Sequence, residues 1–114
     1  MIDAYRFGEM MINGRSYRSD LLIFPDGSVV DGWRRNAGHR LELEDIEGLL
    51  NCGAETIVAG TGSPGRMVPQ PSLAGELRSR GIELVCVPSN EAVAAYNRLL
   101  KEGQPVAGCF HLTC

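Results

Sequence analysis

The sequence predicts an α/β domain in which a mixed β-sheet is covered by helices and preceded by a β-hairpin region. Three observations carry this prediction. Short apolar runs broken by Gly, Pro and Asn turns fill the first 40 residues; three later apolar runs, at 56–60, 82–87 and 106–110, alternate with amphipathic stretches; and those stretches are long enough for the crossovers that parallel strands need. A chain of 114 residues has the length of one layered domain, spanning 1–114.

The first arm of the hairpin region is Ala4-Tyr5-Arg6-Phe7, answered by Met10-Met11-Ile12. Asn13-Gly14 then suits the two positive-φ positions of a type I′ turn, and Ser16-Tyr17-Arg18 returns. Leu21-Leu22-Ile23-Phe24 is stopped by Pro25-Asp26-Gly27, with Ser28-Val29-Val30-Asp31 as its partner, so this half reads as an antiparallel meander. Glu42, Glu44 and Asp45 gather where a helix has its positive end, and Leu43, Ile46, Leu49 and Leu50 recur at helical spacing before Gly53. Thr56-Ile57-Val58-Ala59 is a buried strand. The prolines at 69 and 71 keep the next stretch from being helical throughout, and residues 72–80 then form a helix ended by Gly81. After the strand at 82–87, Pro88-Ser89-Asn90-Glu91 caps a helix whose Val93, Tyr96, Asn97 and Leu100 share one stripe until Gly103. Residues 106–110 make the final strand.

Composition narrows the function. With 44% hydrophobic and 22% charged residues the chain is ordinary globular protein rather than a disordered one. Its net charge of −3 comes from 11 basic and 14 acidic residues spread along the chain, so no nucleic-acid footprint is expected. Nothing approaches the ~18 apolar residues of a membrane span, and no charged start precedes an apolar run at residues 1–7, so a soluble, cytoplasmic protein is expected. Cys52, Cys86, Cys109 and Cys114 include no C-x-x-C pair and are read as free thiols, Cys86 within a core strand.

Two segments are candidates for a site. The first is Gly60-Thr61-Gly62-Ser63-Pro64-Gly65-Arg66, at the end of the central strand, where α/β domains keep their ligands. It spells G-x-G-x-x-G, yet Pro64 delays the helix that should begin there, and the next strand ends in Val87-Pro88-Ser89 rather than an acid, so no dinucleotide cofactor is expected. A looser role is open: free amides around Thr61 to Gly65, with Arg66, would form an anion-binding concavity, against the plain alternative of a sharp turn. Ser63 lacks the G-x-S-x-G frame of a nucleophile elbow.

The second segment is Trp33-Arg34-Arg35-Asn36-Ala37-Gly38-His39. Its Trp33, Arg34, Arg35 and His39 can hold an anionic or planar partner, or the tryptophan simply covers the core edge. Cys109, His111 and Cys114 lack a second ligand pair nearby, so no metal is expected. Asn97 is expected to satisfy backbone groups near the glycine loop or the last strand. No complete catalytic constellation is legible.

Taken together, Tyr5-Arg6-Phe7-Gly8, Ser19-Asp20-Leu21, Trp33-Arg34-Arg35 through Gly38-His39, Gly60-Thr61-Gly62 with Gly65-Arg66, Ala95-Tyr96-Asn97 with Leu100, and His111-Leu112-Thr113-Cys114 resemble one family. It is the small domain of unknown function found in bacteria and archaea that also forms mitochondrial complex I assembly factor three and a mammalian adipogenesis-associated protein. The resemblance covers nearly the whole chain. It implies a three-layer α/β domain with a mixed central sheet, an antiparallel last strand and an added hairpin region. It brings no catalytic residues. In the mitochondrial member the role is assembly through protein partners, so the leading expectation is a non-catalytic binding or assembly-type domain, and the alternative a small-anion site or enzyme at the glycine loop. The oligomeric state is not legible.

Overall fold

The run Thr56–Gly60, buried at every position, sits inside a five-stranded sheet. The computed structural model describes all 114 residues. Strands β1 (Ile2–Arg6), β2 (Glu9–Ile12) and β3 (Arg15–Tyr17) form one antiparallel sheet; β4 (Leu21–Ile23) and β5 (Val29–Asp31) follow as a second hairpin. Next come β6 (Arg40–Leu41), a 3₁₀ helix (Leu43–Leu49), β7 (Thr56–Gly60), β8 (Val68–Pro69), α1 (Leu73–Arg78), β9 (Glu83–Val87), α2 (Ser89–Lys101) and β10 (Val106–Phe110). The order in the main sheet is β5-β4-β10-β7-β9.

Alternation along the strands makes two cores. Ile57, Ala59, Ala107, Cys109 and Leu22 face the 3₁₀ helix and α1, through Ile46, Leu49, Leu73 and Leu77. Val58, Val106, Phe110, Leu21 and Ile23 face α2 and the three-stranded sheet, through Ala92, Tyr96, Ile2, Met10 and Ile12. The result is the three-layer, mixed-sheet domain expected. The last strand, β10, is antiparallel to β4 and parallel to β7, so the expected antiparallel pairing holds on one side only. Phe110 explains two glycines: a Cβ on Gly60 would come within 2.7 Å of its ring, and one on Gly108 within 2.6 Å.

One expectation gains detail and another changes. The short helix expected after Glu42 is present and is 3₁₀, with a non-helical residue at Ile46 (φ −119°, ψ 23°). Asp45 turns its carboxylate back to the amides of Glu42 and Asn36, holding the tight turn at 2.8 and 3.0 Å. Asn97 serves neither the glycine loop nor β10. It accepts from the Ile2 amide at 2.9 Å and donates to the Ile2 carbonyl at 2.8 Å, fastening β1 to α2. The type I′ turn stands as expected, with φ of 50° at Asn13 and 81° at Gly14.

Candidate functional site

The connection β7-α1-β9 moves to one side of β7, and β9-α2-β10 returns to the other. The carboxyl ends of the parallel neighbours β7 and β10 are therefore a topological switch point, the place where open α/β sheets leave a crevice. Gly60-Thr61-Gly62-Ser63 leaves β7 there, and His111-Leu112-Thr113 leaves β10 beside it.

The two exits close on each other. The Thr61 amide donates to the Val87 carbonyl at 2.9 Å, the Ser63 amide to Thr113 at 3.0 Å, and the His111 amide to Gly60 at 2.9 Å. Ser89, fully buried in the first turn of α2, accepts from the Gly62 amide at 2.9 Å and donates to the His111 carbonyl at 2.6 Å. A residue with a Cβ is strained in place of Gly62. Its φ is +98°, and the added carbon would run into the Thr113 carbonyl and lie 2.7 Å from the His111 ring. The expectation of outward, unoccupied amides is thus corrected for Thr61, Gly62 and Ser63; Gly65 and Arg66 keep theirs without a partner, and the Arg66 side chain is exposed and outside any ion pair. Pro64 follows Ser63 through a cis bond.

His111 joins this loop to the second candidate segment. Asp20 places Oδ2 2.8 Å from His111 Nδ1 and 3.0 Å from Arg35 Nη1, while its Oδ1 accepts from the Leu112 amide at 2.8 Å. Arg35 Nη2 lies 3.1 Å from the same His111 Nδ1. One nitrogen cannot serve both: carrying a proton, Nδ1 donates to the carboxylate and Arg35 merely lies alongside; bare, it turns a lone pair toward a carboxylate. We assign the first arrangement, because a bond to a carboxylate is the stronger. It leaves Nε2 as a buried nitrogen without a partner, and Arg35 Nη1, though close to Asp20, lacks hydrogen-bond alignment.

Arg35, with 5% of its side chain exposed, also donates from Nε to Gly38 at 3.0 Å and lies 4.8 Å from the centre of the Trp33 ring. Trp33 is buried, its indole donating to the Asp45 carbonyl at 2.8 Å, so it covers the core edge. His39 is exposed, its ring edge-on to His111 at 6.1 Å. Arg34 is exposed and outside any ion pair. Just beyond the glycine loop, Val68 donates to His39, the last residue of the second segment, and Gln70 to Leu41, both at 2.8 Å, across the β6-β8 pair.

They therefore share one end of the sheet, but no cleft. Three open depressions mark the surface, of about 450, 460 and 370 Å³, and none is lined by the glycine loop or by residues 33–39. Nor do the core thiols offer a nucleophile: burial pushes Cys86 up to about 11 and Cys109 further in the same direction.

Asp20, Ser89 and His111 are the residues that sequence reasoning left without a role here. Their signal was positional. If β10 lies beside β7 in parallel register, Phe110 faces Gly60 and the next residue, His111, must meet the glycine loop.

A model of the family described as a protein of unknown function (DUF498/DUF598) matches residues 2–111. The chain belongs to this family. Among solved structures, one described as MT938 is 31% identical, with a TM-score of 0.85, and the match covers 100% of this chain and 98% of that one. The conserved hypothetical protein PH1505 from Pyrococcus horikoshii OT3 is 23% identical, with a TM-score of 0.87 and coverage of 100% and 99%. A Bordetella pertussis protein described as a Mth938-like domain shares the fold at 17% identity and a TM-score of 0.68, over 98% of this chain and 85% of that one. This member of the DUF498/DUF598 family thus has the Mth938-like fold, and no helix long and apolar enough to cross a membrane.

Proposed function

We propose that this domain is a non-catalytic binding module of the assembly-factor kind, acting through protein contacts. One observation carries the reading: the crevice that α/β domains of this topology offer to ligands is filled by the chain's own exit from β10, with the amides of Thr61, Gly62 and Ser63 occupied. Asp20 and Arg35 support it, because their charges are directed at each other and at His111 rather than at an opening. The resemblance to a mitochondrial assembly factor agrees with it.

The rival reading is a small-anion site. Its support is that Arg66 and Arg34 are exposed and unpaired, with the Gly65 amide free nearby in sequence. A thermal-shift screen against nucleotides, phosphorylated metabolites and carboxylates separates the two. A true ligand at about 100 times its Kd stabilises the folded state by about 2.7 kcal/mol. The binding-module reading expects no saturable shift. A shift that saturates in the wild type and disappears in Arg66→Ala overturns it in favour of the anion site.

A further inference from the structure

We propose that the outward face of the three-stranded sheet, with Phe7 at its tip, is the docking surface, and that its occupant is an extended acidic segment of a partner protein carrying apolar side chains. The inference rests on the binding-module reading and adds to it a place and a partner chemistry.

Register sets the composition of this face. Ile2, Met10 and Ile12 point into the core, so Ala4, Met11 and Ser16 line up across the three strands on the other side, beside the pair Arg6 and Glu9. Phe7, in the turn that follows β1, is 60% exposed, and Met11 is 37% exposed. Two depressions, of about 460 and 370 Å³, meet at Arg6 and Glu9; the first is floored by Ala4, Tyr5 and Met11, the second by Phe7, Gly8 and Arg18.

Charge decides the partner. Residues 1–18 carry three arginines against Asp3 and Glu9, a net +1, which leaves −4 for the rest of a chain whose total is −3. Both acids are already engaged. Asp3 accepts from the Gly14 amide at 2.7 Å, and Glu9 is held by the Ser16 hydroxyl and by Arg6, which keep its carboxyl below the usual range. On this face the spare guanidinium is Arg18, which has 80% of its side chain exposed and reaches Glu9 only at 3.9 Å; Arg15, opposite Ile12 in register, lies over the Tyr17 ring at 5.5 Å on the other side of the same edge strand. Carboxylates are what such an unfilled donor fork binds.

Backbone makes the segment extended. Asn97 closes the outer edge of β1 at Ile2, whereas β3 bonds only to β2. A free edge next to a spare arginine suits an added strand, whose main chain supplies affinity and whose side chains supply specificity. A second copy of this chain is disfavoured, since an isologous contact would bring two patches of the same net sign together. A bilayer is disfavoured too: at about 1 kcal/mol per basic residue, a net +1 patch with a single exposed aromatic is a weak anchor.

The test is an amide NMR titration of the whole chain with a synthetic peptide of about ten residues alternating glutamate with phenylalanine or leucine, and a control peptide with lysine in place of glutamate. The proposal expects saturable shifts at Phe7, Glu9, Met11 and residues 15–18, binding that weakens roughly tenfold between about 0.05 M and 0.5 M salt, no binding by the lysine peptide, and loss of binding in Arg6→Glu with Arg18→Glu. Should that double variant misfold, Arg18→Ala is expected to weaken the same titration several-fold. No saturable shift, shifts centred elsewhere, or equal binding of the lysine peptide overturns the proposal. So does Phe7-dependent sedimentation with phosphatidylserine vesicles exceeding the peptide response, which would make the patch a membrane contact. A negative titration beside a flat small-molecule screen removes this surface alone; a saturable anion shift removes the binding-module reading itself.

Discussion

The carboxyl end of the main sheet and the outward face of the hairpin sheet contain the same kinds of groups, arginines, a carboxylate and an aromatic, and use them in opposite ways. At the carboxyl end Asp20, Arg35, His111 and Trp33 are packed against one another, and the loop amides beside them are occupied. On the hairpin face Arg6 and Arg18 are 78% and 80% exposed, with one carboxylate between them. A glycine-rich turn at a switch point is therefore not a ligand site by virtue of its position. What distinguishes a site is donor capacity left over once internal bonds are made, and by that criterion the less conspicuous region is the better candidate.

Breaking the comparison from its closed side has the largest expected effect. Asp20→Ala removes the acceptor for Nδ1 of His111, the partner of a buried guanidinium and the Leu112 amide contact together. We expect a loss of about 3–5 kcal/mol in chemical denaturation, mostly from Arg35 left uncompensated. Gly62→Ala follows, at about 2–3 kcal/mol, because a side chain is forced into positive φ against the Thr113 carbonyl. Asn97→Ala tests the joint between the two regions. With both bonds to Ile2 gone, denaturation should show a loss of about 1–2 kcal/mol, and hydrogen exchange should quicken in β1 before it does in β7. The smallest effects belong to the open face: Arg18→Ala should change stability by less than about 0.5 kcal/mol, since nothing buried depends on it. A large loss there would place Arg18 with Arg35 as an architectural residue and dissolve the contrast.

Much of the fold could be read from residues in sequence order, because local chemistry dictates it. Asn13-Gly14 specifies its turn, and the buried run at Thr56 followed by glycines specifies a central strand and its exit. Less legible were features in which a distant or polar group overrides the local pattern. Leu43, Ile46 and Leu49 have helical spacing, but the carboxylate of Asp45 tightens the turn to 3₁₀. Both β6 and β8 are two residues long and contain no periodicity to detect. The Asp20–His111 contact joins residues 91 positions apart and follows only once β10 is known to lie between β4 and β7. Of the candidate site residues, Arg35, His39 and Gly62 come together around His111, Trp33 belongs to the core edge, and Arg34 and Arg66 remain exposed.

Amide hydrogen exchange by NMR tests the sealed carboxyl end most directly. The amides of Thr61, Gly62 and Ser63 should exchange about a hundredfold or more slowly than that of Gly65, which has no internal partner. Exchange of all four at the same fast rate would mean that the crevice stands open, and that the loop is free to receive an anion.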